Sequence, residues 1–278
     1  MTFYKFDGAG NDFILLDIRE HDPQLTTEQV ARLCHRRFGI GADGLMTLGS
    51  REGYDFEMRY YNSDGRLSSM CGNGGRCITA FAKMRGVVPR SSQEGTDHVA
   101  HFTYHFVGYD GDHSSTIISW NGSRGIVRLK MRDIEDIRPC LDGWFLDTGS
   151  PHYVQVVEGL GGYDVFGKGR ALRNRTDVFP EGTNVDFIEP QPDGTLYVRT
   201  YERGVEDETY SCGTGVTASA LVYGTQIICG TDQVKLYAPG GSFTVDFEAH
   251  GNGATDVFLI GSVSFNFKGE VGVDNNIS

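Results

Sequence analysis

The sequence predicts an α+β fold of two pseudo-symmetric domains, and three observations carry that prediction. The 278 residues are long for one core and comfortable for two domains. The 38 glycines point to many tight turns and an antiparallel, hairpin-rich build. The third observation is internal similarity. MCGNGGRCITA around Cys71 and SCGTGVTASA around Cys212 each place Cys-Gly-x-Gly before a small-residue, helix-compatible run. GADGLM begins thirty residues before Cys71, and GTNVDF begins thirty residues before Cys212. The repeated unit reads strand, turn, cysteine, helix, and it is too long for a solenoid repeat.

Each element has its own local reason. Phe13 to Asp17 reads as a strand. TTEQVARLCHRR, residues 26–37, predicts a helix with Thr27 as N-cap and with Val30, Leu33 and Cys34 on one face. Phe56, Met58 and Tyr60 alternate with polar residues, as do Leu196, Val198 and Thr200, so each run predicts a half-buried strand. SSQEGTDH, residues 91–98, reads as a polar loop. A domain boundary is expected near NGSRG, residues 121–125, dividing the chain into 1–120 and 121–263. Further strands are expected at Tyr153–Val157, Val234–Tyr237, Phe243–Phe247 and Val257–Ile260.

Bulk properties restrict the function. A net charge of −12 repels nucleic acid and anionic membrane surfaces, while leaving room for a small anionic substrate held by local positive groups. MTFYKFDGAG lacks the basic-then-apolar pattern of a secretory leader, and no apolar run reaches membrane-spanning length. The six cysteines, at 34, 71, 77, 140, 212 and 229, are too scattered for a disulfide framework, which suits the reducing cytoplasm.

Four readings compete for the thiol at Cys71. As a zinc ligand it would pair with Cys77, but the CxxxxxC spacing is not that of common zinc sites, and Cys212 has no counterpart partner. His98, His101 and His105 resemble a ligand cluster, yet HFTYHFVGY alternates as a surface strand does. A nucleotide-binding loop would need the GxxxxGK[ST] lysine, which neither copy has, although a glycine turn at a helix N-terminus still suits an anion. Inert burial accounts for Cys34, Cys77, Cys140 and Cys229, but not for two cysteines carrying the same Gly-x-Gly in matching places. A reactive thiol at a helix N-terminus has a mechanism. The macrodipole contributes up to about 2 kcal/mol, and one pKa unit corresponds to about 1.4 kcal/mol. That brings a thiol from about 8.5 to roughly 7.5. Two such thiols flanking one ligand atom invert a stereocentre, one taking a proton and the other returning one, with no cofactor and no metal.

FDGAGNDFILLD (6–17), GIGADGLM (39–46), YNSDG (61–65), CGNGGRC (71–77), GSPHYV (149–154), EGTNVDF (181–187) and YERGVEDETYSCGTG (201–215) together resemble the diaminopimelate epimerase family, in the family's order and over nearly the whole chain. The resemblance implies interconversion of LL- and meso-2,6-diaminoheptanedioate, on the lysine and peptidoglycan route, without pyridoxal phosphate. It implies Cys71 and Cys212 as the catalytic pair. Backbone amides of Gly72, Asn73, Gly213 and Thr214 would hold the reacting carboxylate. Asn11, Asn62, Asn184 and Arg203 would hold the distal end, and His152 and Glu202 would tune the cysteines and orient the amino group. The implied fold is two similar α+β domains, each a mostly antiparallel, barrel-like sheet around a central helix. Residues 264–278 would return to the first domain. A homodimer is implied as well.

The chain departs from the family pattern in three places. Ser150-Pro151-His152 stands where many members have Asn-Pro-His, so a distal contact is expected to be lost or water-bridged. Gly44 stands where some have glutamine, and the turn before Cys212 is one residue longer than in many members. Two rivals follow from the residues. A proline- or hydroxyproline-type racemase shares the two-thiol design but leaves Arg203 as an unmatched charge. A non-catalytic amino-acid binding protein would need no matched acid and base.

Overall fold

The computed structural model describes residues 1–94 and 100–272, without the side chains of 91–94, 100 and 101. The chain divides into two compact units, 1–129 with 262–278, and 130–261.

The first unit runs β1 (Thr2–Gly8), β2 (Asn11–Asp17), α1 (Thr27–Cys34), β3 (Gly44–Gly49), β4 (Phe56–Asn62), β5 (Leu67–Ser68), α2 (Gly72–Met84), β6 (Ser91–Glu94), β7 (Ala100–Gly108), β8 (Gly111–Trp120) and β9 (Arg124–Lys130). The second runs β10 (Arg138–Cys140), β11 (Gly143–Asp147), β12 (Pro151–Val156), α3 (Val165–Arg173), β13 (Asn184–Pro190), β14 (Leu196–Glu202), β15 (Asp207–Thr209), α4 (Gly213–Val222), β16 (Gln233–Ala238), β17 (Gly241–His250) and β18 (Gly253–Glu270). Strand β18 is long enough to supply its first half to the second unit and its second half to the first.

The internal repeat is a repeat of topology. In the first unit β1–β2 is antiparallel, β2–β3 parallel across α1, and β3–β4 and β4–β5 antiparallel; α2 follows, and β4 then pairs in parallel with β7. In the second unit β11–β12 is antiparallel, β12–β13 parallel across α3, and β13–β14 and β14–β15 antiparallel; α4 follows, and β14 pairs in parallel with β16. Strand β18 pairs with both β9 and β1, which closes the first sheet into a barrel.

The central helices are buried, and polar side chains they carry inside find partners there: in α2, Arg76 donates to the Gly72 carbonyl and to Asn73. Every residue of α2 from Gly72 to Ala82 is buried, and Tyr4 and Phe6 from β1 pack on its Phe81 at 5.0 and 5.8 Å between ring centroids. Helix α4 carries apolar or small residues all round, and only Thr214 is partly exposed, as expected of a helix inside a sheet. The outer helices cover the opposite faces: Val30, Leu33 and Cys34 of α1 pack with Ile14, Leu16 and Leu45, and Val165 of α3 packs with Tyr153, Val185, Phe187 and Tyr201.

Several boundaries differ from those expected. The α1 N-cap is Thr26, whose hydroxyl accepts from the Gln29 amide while the Gln29 side chain accepts from the Thr26 amide, and the helix ends at Cys34 rather than running to residue 37. Ser91–Glu94 is a strand paired with β7, not loop; the polar composition hid a partner that lies close in sequence. Residues 95–99, His98 among them, lie outside the described residues. His105 is exposed on β7. The expected boundary at 121–125 falls at the start of β9, which pairs with β8, so the first unit continues to residue 129.

Candidate active site

Each unit presents one cysteine in the same backbone setting. Cys71 is the N-cap of α2 with φ −89° and ψ 132°; Cys212 is the N-cap of α4 with φ −106° and ψ 113°. Each carbonyl accepts the first helical bond, from Gly75 at 2.7 Å and from Val216 at 2.8 Å. Neither sulfur serves as a side-chain cap. The amides of Gly72, Asn73, Gly213 and Thr214 therefore sit in first helical turns, where N–H groups lack intrahelical acceptors and the dipole is positive.

In the first unit, the Cys71 thiol donates to Asn11 Oδ1 at 3.6 Å. Asn11 is held in turn, donating Nδ2 to Asp43 Oδ2 at 2.6 Å. Asp43 and Asp12 share Arg36, and Asp12 also pairs with Lys5 at 2.6 Å. Burial works to raise the Asp12 carboxyl, but hydrogen bonds from Arg36 and Lys5 outweigh it and hold it at about 2. Asn62 is exposed at the end of β4 opposite Gly44 of β3. A Cβ on Gly44 would lie 2.5 Å from the Tyr60 ring and 2.7 Å from the Tyr61 carbonyl, so this chain has no room there for a glutamine side chain.

In the second unit a buried polar chain leads away from Cys212. Its sulfur lies 3.3 Å from Thr214 Oγ1, which lies 2.9 Å from His152 Nε2. His152 Nδ1 lies 2.7 Å from Asp186 Oδ2, and Asp186 Oδ1 accepts from Thr200 Oγ1 at 2.6 Å. Both His152 and Asp186 are fully buried. With Asp186 as acceptor, Nδ1 carries the imidazole proton, so Nε2 accepts from Thr214 and Thr214 accepts from the thiol. Asp186 also explains the second glycine of the motif, since a Cβ on Gly215 would lie 2.3 Å from its Oδ1.

Beside that chain, Asn184 Nδ2 donates to Ser150 Oγ at 2.8 Å and to the Pro151 carbonyl at 3.0 Å, while its Oδ1 accepts from the Arg203 amide at 2.9 Å. Ser150 Oγ is thus an acceptor for Asn184. Arg203 Nη1 donates to the Glu181 carbonyl at 3.1 Å, which aims a partly exposed guanidinium from the turn after β14. Glu202 ends β14.

The electrostatics of Cys212 correct one expectation. Burial pushes its thiol well above the ordinary range, and the charges of Glu202 and Asp186 push the same way; the Gly215 amide opposes. The helix end is present, but in this setting burial and the nearby carboxylates prevail over it. Burial also raises Cys34, to about 12, and Cys77 still further, as inert core thiols require.

The structure therefore brings together Asn11 with Cys71 in one unit, and Ser150, His152, Asn184, Arg203, Cys212 and Thr214 in the other. Sequence reasoning missed Asp43, Asp186 and Thr200. A carboxylate between Val185 and Phe187 on an otherwise buried strand was the available signal for Asp186. Among the described residues no group of three His, Cys, Asp or Glu side chains could hold a metal ion.

The fold and the motifs have counterparts in known proteins. A crystal structure of a Bacillus anthracis phenazine biosynthesis protein of the PhzF family superposes with a TM-score of 0.73 at 14% identity, covering 98% of this chain and 99% of that one. A probable proline racemase from Agrobacterium radiobacter, with bound carbonate, gives 0.70 at 16%, covering 98% and 93%. At such identities these share the fold alone. Closer in sequence are two diaminopimelate epimerases. That of Flavobacterium psychrophilum is 39% identical over 96% of this chain and 99% of its own; that of Chlorobaculum tepidum is 43% identical over 77% and 80%. The sequence profile of the diaminopimelate epimerase family matches residues 3–97 and 144–265, which include both cysteine-capped helices. The chain belongs to the diaminopimelate epimerase family.

Proposed function

We propose that the protein interconverts LL- and meso-2,6-diaminopimelate by a cofactor-independent, two-base mechanism. The observation that carries this reading is the duplicated half-site: in each unit a cysteine caps a central helix and leaves its sulfur out of the cap. One sulfur, as thiolate, takes the α-proton. The electron pair left on the α-carbon delocalises into the adjacent carboxylate, whose growing charge meets the amides of Gly72, Asn73, Gly213 and Thr214. The other sulfur, as thiol, gives its proton to the opposite face of that carbon. The pair of sulfurs holds one proton before and after turnover, with thiol and thiolate exchanged.

Asn11, Asn62, Asn184 and Arg203 take the distal end of the substrate in this reading, the arginine matching its carboxylate. His152 and Glu202 tune Cys212 and orient the amino group. A two-headed substrate accounts for Arg203 better than a proline-type substrate does, because the latter leaves the guanidinium unmatched. The same reading takes the protein to be a cytoplasmic homodimer; sedimentation equilibrium at the monomer mass would refute the dimer. Among the described residues no helix is long and apolar enough to cross a membrane.

The test is chiral analysis of products from LL-diaminopimelate and, separately, L-proline, with wild type and Arg203→Ala. Turnover of diaminopimelate alone, abolished in R203A, supports the proposal. Binding of diaminopimelate without turnover would favour a binding protein, and turnover of proline would favour the racemase.

A further inference from the structure

The two half-sites are alike in backbone and unlike in charge. Arg76 and Thr217 stand at the same offset from their cysteines, and each donates to the carbonyl of the residue that follows the cysteine. Arg76 Nη1 reaches Gly72 O at 3.2 Å, and Thr217 Oγ1 reaches Gly213 O at 2.9 Å. Both side chains are fully buried. Arg76 in addition donates Nη2 to Asn73 Oδ1 at 3.0 Å, so its fork ties Gly72 to Asn73. It is among the largest fully buried side chains of the chain, and it lies on the first turns of the helix that Cys71 caps. In the second unit, by contrast, the negative charges of Glu202 and Asp186 act on Cys212.

We propose that Arg76 is a positioning residue for the reaction: its buried guanidinium clamps Gly72 to Asn73 and supplies a fixed positive charge beneath Cys71, which favours negative charge on that sulfur and on a carboxylate bound at the α2 N-terminus. This rests on the catalytic reading of Cys71. The titratable groups whose charge acts on this guanidinium are Cys77 of the same helix and then Cys71, its N-cap, and Asp7 of β1 acts on Cys77. Burial disfavours the arginine cation, while negative charge on either sulfur favours it, so cation and thiolate stabilise one another. The second helix has a neutral hydroxyl at the equivalent place and receives no such support.

The experiment follows the iodoacetamide alkylation rate of Cys71 against pH by peptide mass spectrometry, in wild type, Arg76→Met and Arg76→Lys, with epimerase kinetics on the same preparations. In R76M the curve is expected to move to higher pH, lowering the rate at pH 7 by about ten-fold, the equivalent of one pKa unit. In R76K the curve should stay near that of wild type, with a raised KM because the fork to Asn73 is lost. A residue that only packs would leave the alkylation curve in place. If R76M alkylates as wild type does, the inference falls. Wild type provides a check that no folding defect can confuse: Cys71 should reach half-maximal rate at lower pH than Cys212, and coincident curves overturn the inference. Wild type that turns over no diaminopimelate would sink the catalytic reading instead, whatever the alkylation curves show.

Discussion

At the scale of single residues, the Cys212 thiol is held by a chain of polar side chains that runs back into the core. Asp186 fixes the His152 tautomer, His152 orients Thr214, and Thr214 holds the thiol. Asp186→Asn presents an amide whose nitrogen can donate to the ring, which disturbs the tautomer while removing a charge near the sulfur. Steady-state kinetics are expected to show kcat lowered on the order of ten-fold or more, the cost of about one misplaced pKa unit, with KM changed less. An unchanged kcat would remove His152 from the account. Ser150→Ala takes an acceptor from Asn184 Nδ2, leaving the Pro151 carbonyl and, at 3.4 Å, His152 Nε2. One neutral hydrogen bond is worth about 1 kcal/mol, so KM is expected to rise roughly five-fold at similar kcat. The serine was legible as a departure from the family pattern, but its effect was not, because the bond it makes depends on strands β12 and β13 lying in parallel register.

At the scale of elements, the two cysteines were readable because helix starts are local. A glycine-rich turn after a half-buried strand and before an apolar run marks a helix N-terminus without knowledge of the fold. The network under Asn11 was not readable, since it joins residues that the barrel brings together from β1, β2 and the α1–β3 connection. That network makes a pH prediction. Asp12 is held at about 2, below its unfolded value, so its contribution to stability is full above about pH 4 and is lost as pH falls toward 2. Urea denaturation at pH 5 and pH 2.5 should show Asp12→Asn losing about 2 kcal/mol less than wild type, the remaining loss coming from carboxyls such as Asp17, which Arg19 and Arg85 also hold at about 2. Equal losses in both proteins would contradict it. Strand β3 makes another prediction. Gly44→Ala drives a Cβ against Tyr60 and the Tyr61 carbonyl, and overpacking of this kind costs about 1–3 kcal/mol. A melting temperature unchanged by G44A would show that β4 yields more easily than the packing implies.

At the scale of the molecule, the duplicated sequence produced a duplicated topology, down to the parallel pairing across each outer helix. Binary patterning made β4 and β14 plain from sequence, with Phe56, Met58, Leu196 and Val198 buried as the alternation requires. The path of β18 was not legible in the same way: eighteen residues of one strand serve two units, and pairing with β17, β9 and β1 is decided by long-range register. Function was legible in the motifs, while the unequal charge at the two half-sites emerged only from burial. The central claim is that two sulfurs, one from each unit, move a proton across a single carbon. The direct measurement is NMR of LL-diaminopimelate incubated with reduced protein in heavy water. The α-proton signal is expected to disappear as the meso form grows, and both changes are expected to be abolished when either Cys71 or Cys212 is replaced by alanine. Formation of the meso isomer by either single-cysteine variant, or by wild type without solvent exchange at the α-carbon, would contradict it.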